Sequence, residues 1–158
     1  MRVTPAVVES EYEWVRERGD VVVPIANAVR HELGQVFSVS VDEISDDQYL
    51  RAVDEVFADG ARAVNVAAIV SILRDLDVED DYPGFVVDEL LGRELAATVA
   101  GEQPLRLLAE ATFHYADVEV HSGADTAGVD DLDAALAAGV QTRLPGWSWT
   151  DRDPFAVG

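Results

Sequence analysis

Lysine is absent from this chain of 158 residues. Every positive side chain is one of eleven arginines, set against 31 Asp and Glu, for a formal charge of −20. Cysteine is absent as well, which excludes disulfides and thiolate metal or redox sites. No apolar run approaches the roughly 18 residues that a membrane span requires. The start of the chain lacks the order of a signal peptide, because Met1-Arg2 leads at once to Thr4-Pro5 and then to acids. These absences lead us to expect a soluble cytoplasmic protein, or a virion component if the source is a virus.

Packing so many carboxylates on one body costs self-repulsion. That cost shrinks when salt shortens the Debye length to about 3 Å at 1 M. The balance resembles the cytosolic proteins of salt-in halophilic archaea, or of viruses that infect them. Adaptation to heat would add lysine along with glutamate, so salt is the better explanation. Acidity argues against nucleic-acid binding, which needs clustered Arg or Lys. The arginines here are scattered, with only Arg16 and Arg18 close together.

What is present is a regular apolar pattern. Hydrophobic residues make up 49% of the chain and interleave with the acids, so the charge does not read as disorder. Thr4-Pro5 signals a helix start, followed by Val8, Tyr12 and Val15 at helical spacing. A second helix, from Asp20 to Gly34, carries Val22, Ile25, Ala26, Val29 and Leu33 on one face, with Pro24 placed in the first turn. Ser45 to Gln48 is a capping box that opens a helix with Tyr49, Leu50, Val53, Val56 and Phe57 inward.

Ala61 to Asp75 is apolar on nearly every side, the pattern of a buried central helix. Further helices are expected from about Phe85 to Val99, from Pro104 to near Ala116, and from Asp130 through Ala138. Residues 36–41 and 117–121 alternate weakly, which allows a small two-stranded β-ribbon. The predicted fold is mostly α: one irregular bundle of about seven helices around a buried central helix, in a domain over 1–142. Residues 143–158 form an extended aromatic tail, because Pro145 ends any helix there.

Chemistry-bearing motifs are few. Asp75, Asp77 and Glu79 have the first spacings of a calcium loop, but Asp80 stands where the turn needs glycine and Val86 where a bidentate Glu belongs. Arg106, Glu110 and His114 stack on one helical face. A carboxylate beside an imidazole is raw material for acid–base catalysis, yet the plain reading is a charge stripe. His121 lies beyond that helix, and His31-Glu32 lies on an outer face. No histidine spacing matches a metal-binding helix, and no nucleophile elbow, phosphate loop or dinucleotide fingerprint occurs. No catalytic residue, metal or cofactor is assigned.

Trp147, Trp149 and Phe155 are the candidate protein-binding residues. Trp147 and Trp149 project to one side of an extended segment, as anchors that dock on a groove do, whether that groove belongs to the chain's own core or to a partner. The expected function is a non-enzymatic interaction or assembly protein (an adaptor, regulatory subunit or virion connector component) acting through the tail or an outer helical face on a protein partner or a second copy. The alternatives are a winged-helix transcriptional regulator, with Ala61–Asp75 as recognition helix, and a small helical enzyme using Glu110 and His114.

Overall fold

Thr4 begins the first helix as the sequence signals it: its hydroxyl accepts the Val7 amide at 3.3 Å, and Pro5 follows at the first helical position. The computed structural model describes residues 1–76, 87–120 and 129–144. Among them run seven helices: α1 Pro5–Glu17, α2 Gly19–Phe37, α3 Asp46–Ala58, α4 Gly60–Asp75, α5 Val87–Ala100, α6 Leu105–Val120 and α7 Val129–Arg143. The capping box is complete at α3, with Ser45 and Gln48 each holding the other's backbone amide. Asp59 caps α4 by accepting the Arg62 amide, and α3 and α4 meet at 110°. None of the described helices is long and apolar enough to cross a membrane.

The fold is an all-α bundle built around a central helix, but that helix is α7. Every residue from Asp131 to Thr142 is buried, and α2, α3, α4, α5 and α6 all pack on it. The expectation that Ala61–Asp75 forms the core's spine is therefore corrected. α4 buries Ala63, Val66, Ala67, Val70, Ser71 and Leu73, while Val64, Asn65, Ile72 and Arg74 face solvent. Small side chains let α7 take the centre. Gly139 lies where a Cβ would sit 2.7 Å from Val99 Cβ and 2.8 Å from the Ala96 carbonyl oxygen, so α5 and α7 approach at backbone distance.

No strand occurs among the described residues, which corrects the ribbon. Val36 and Phe37 belong to α2, which runs through Gly34 and ends at Ser38 in a left-handed conformation. The extended stretch after it satisfies its backbone from α2 instead of from a strand. Asn27 donates to the Ile44 carbonyl and accepts from the Ile44 amide, while Arg30 donates to the Asp42 carbonyl. Gly34 permits this return, since a Cβ there would meet the Val39 carbonyl at 2.9 Å. Residues 117–120 continue α6 rather than leaving it. Pro24 falls in the second turn of α2, not the first; both it and Asp20, whose carbonyl loses a partner, are exposed to water.

Candidate functional site

Several polar side chains inside the bundle are held by structural bonds. Arg18, between α1 and α2, holds Asp133 of α7 with two bonds, of 3.0 and 2.5 Å. Burial pushes the Asp133 carboxyl above its usual range, against the opposing pull of Arg18. Glu11 accepts from Ser71 at 2.8 Å and pairs with Arg74 at 2.6 Å, tying α1 to α4. Trp14 lies beside both arginines, with the guanidinium carbons of Arg74 and Arg18 at 4.6 and 5.1 Å from its ring, a cation–π arrangement. Arg30 is 1% exposed and donates to the Gln141 carbonyl near the end of α7 at 2.9 Å. There a cation meets the negative pole of the helix, and burial lowers its pKa.

At the far end of α2, Arg30, His31, Gly34 and Gln35 line an open groove of about 380 Å³ with Ser38, Val39, Ser40 and Val41. Val36 and Phe37 are exposed nearby in sequence. His31 shares a hydrogen bond with Gln35 across one turn, at 3.1 Å, which supports its placement on an outer face. The groove holds one buried cation, Arg30, whose donors already serve backbone carbonyls. It brings no group of chemically active side chains together.

The outer face of α6 is different. Ala109, Thr112, Phe113 and Ala116 turn inward. On the opposite side Leu107, Ala111, His114 and Val118 are exposed at helical spacing, with Tyr115 beside them. Leu107 is 60% exposed, Val118 59% and Tyr115 39%. By the same periodicity Glu110 and Asp117 border this stripe on one side and Glu119 on the other. The helix is thus apolar on two faces, one for its own core and one turned outward.

The structure places Glu110 and His114 on this outer face, with Arg106 one turn before Glu110. His114 stands within the apolar stripe, exposed to solvent. Asp75 is exposed at the end of α4, while Asp77, Glu79 and His121 lie outside the described residues. So do Trp147, Trp149 and Phe155, together with all of the tail beyond Leu144. Among the described residues no three His, Asp or Glu side chains group as a metal ion would require. What sequence reasoning missed is the stripe itself. Its signal was legible in Leu107 and Val118, apolar residues that fall off the inward face defined by Ala109, Phe113 and Ala116.

A family described as Domain of unknown function (DUF7984) matches residues 1–158, so the chain belongs to that family. No curated protein and no solved structure matches it.

Proposed function

We propose that this member of the DUF7984 family is a non-enzymatic protein-interaction or assembly module that works at high salt, in the cytoplasm of a halophilic archaeon or in a virus of one. The observation that carries the interaction reading is the outward stripe of α6: Leu107, Tyr115 and Val118 on one face of one helix, exposed and unneeded by the core. Contiguous exposed apolar surface on a soluble chain commonly marks a binding site. The aromatic residues Trp147, Trp149 and Phe155 are proposed as a second anchor in the same role. Support for the salt reading comes from the charge of −20 with no lysine.

An adaptor, a regulatory subunit and a virion connector component all fit this description. The test is affinity purification of the tagged chain from its native host in concentrated KCl, beside two variants. One variant is Leu107→Asn with Val118→Asn; the other is Trp147→Ala with Trp149→Ala. A partner retained by the wild type and lost by either variant is the expected result. Equal recovery with all three chains, or no partner at all, would sink the reading.

A further inference from the structure

We infer that the groove at the end of α2 is the seat of the chain's own residues 145–158 in the free protein, taken by Trp147 or Trp149. The inference rests on the reading of these tryptophans as anchors. It names the surface they occupy until a partner draws them away.

Topology says what covers this surface. Arg18 at the start of α2 bonds Asp133, and Arg30 further along bonds the Gln141 carbonyl, so α2 and α7 run side by side in the same direction. From Arg30 to the end of α2 at Phe37 is about 10 Å, and from Gln141 to the end of α7 at Arg143 about 3 Å. α2 therefore outruns α7 by more than a turn. Val22, Ala26, Val29 and Leu33 of α2 are buried on one face. The next positions of that face, Val36 and Phe37, are 59% and 54% exposed. The face goes uncovered beyond the level at which α7 ends.

The chain continues from that same level. Leu144 is packed against the core, and residues 145–158 follow it outside the described residues. Trp147 and Trp149 are within about 10 and 17 Å of Leu144 along the chain at full extension. The groove lies in that range, because Arg30 both lines it and bonds Gln141. Tethering also favours this segment over a second copy's, since it holds the tail at an effective concentration of about a millimolar or more.

The lining suits an indole. Val39 and Val41 supply apolar wall, and Gln35, Ser38 and Ser40 supply oxygens able to accept from the indole N–H. Among the described residues no carboxylate lines the groove. The contact therefore does not depend on charges that concentrated salt would screen.

The experiment exploits the absence of cysteine. Val36→Cys, next to Gln35 of the groove, takes a single bimane label, a fluorophore that tryptophan quenches at short range. Emission is read on the full chain, in KCl at which circular dichroism shows it fully helical. Trp147→Phe with Trp149→Phe should raise emission about twofold or more, because a seat filled over half of the time quenches over half of the labels. Phe37→Asp, at an exposed position outside the core, should raise it as well by opening the seat.

Unchanged emission with the two tryptophans replaced would overturn the proposal, since no tail tryptophan then comes near α2. Silence of Phe37→Asp beside a rise from the tryptophan pair would overturn the groove as the seat. Quenching that grows with protein concentration would give the groove to the tail of a second copy, and overturn it too. If emission never rises while Trp147→Ala with Trp149→Ala still loses a host partner, the seat is overturned and the interaction reading stands. A rise in both variants with no host partner found keeps the seat and sinks the interaction reading.

Discussion

At Asp133 two effects oppose each other: burial disfavours the carboxylate, and the Arg18 guanidinium favours it. Burial is the larger, so the folded-state pKa lies above the ordinary value, with Asp130 and Asp20 adding to the rise. In the window just above the ordinary carboxylate range, the folded state therefore binds more protons than the unfolded one. The contribution of Asp133 to stability must fall as pH rises through that window. Denaturant midpoints of wild type and Asp133→Asn, followed from about pH 4 upward, should shift progressively in favour of the Asn variant. At neutral pH, Arg18→Ala should cost about 2 kcal/mol, less than for a fully enclosed pair because the Arg18 side chain is 27% exposed. Replacing both partners, with Arg18→Met and Asp133→Leu, should recover most of that loss, as buried pairs exchanged for packed apolar groups commonly do.

These buried charges also explain what could and could not be read at the scale of whole elements. Starts were legible because they are local: Thr4-Pro5 and the Ser45–Gln48 box need only their own neighbours. The choice of central helix was not. Ala61–Asp75 looks buried all round because its polar residues are few, yet Val64 and Ile72 face water. Val129–Arg143 looks half-polar, but Asp133 is answered by Arg18 and the Gln141 carbonyl by Arg30, partners more than a hundred residues away. No periodicity within one helix can announce such partners. The ribbon failed for a local reason: α2 runs on through Val36 and Phe37, Val39 gives its amide to the Gly34 carbonyl, and α6 runs on through residues 117–120.

Substitutions on α7 should reveal its position. Alanine for glycine inside an exposed helix gains about 1 kcal/mol, but Gly139→Ala should instead cost about 1–3 kcal/mol, as overpacked cores do, because its Cβ would strike Val99 and Ala96. Gly60→Ala, with nothing within 4 Å of its new methyl, should be neutral or slightly stabilising. Leu136→Ala should cost about 2–5 kcal/mol, and Val64→Ala on α4 well under 1. Chemical denaturation ranks all four. A larger loss at Val64 than at Leu136 would return the centre to α4.

For the whole molecule, eleven arginines serve 31 acids. Among the described residues Arg16, Arg18, Arg62, Arg74, Arg93 and Arg143 each reach a carboxylate, and eleven arginines cannot give each of 31 carboxylates a cation of its own. Their mutual repulsion is unscreened in dilute buffer, where the Debye length is about 30 Å at 0.01 M, and nearly silent at 1 M. Helicity measured by circular dichroism should fall on dialysis into dilute buffer and return above about 1 M KCl. A flat profile across that range would remove the salt-adapted reading while leaving the fold untouched. The composition alone raises the salt-adapted reading, which the dialysis experiment tests, whereas the α6 stripe needed a structure, because its residues are ordinary until the inward face is known.

The order of helices along the chain has a kinetic consequence. The ribosome delivers α1 to α6 before it delivers the helix on which five of them pack. Until α7 emerges, the faces of α2 to α6 that pack on it lack their cover, Ala96 and Val99 opposite Gly139 among them. Folding must wait for contacts such as Arg18–Asp133, closed across more than a hundred residues, and long closures of this kind slow the search. Nascent chains would meanwhile present unshielded apolar surface, the condition that favours aggregation. The same surplus of carboxylates that strains the folded body would then keep incomplete chains apart from one another as they wait.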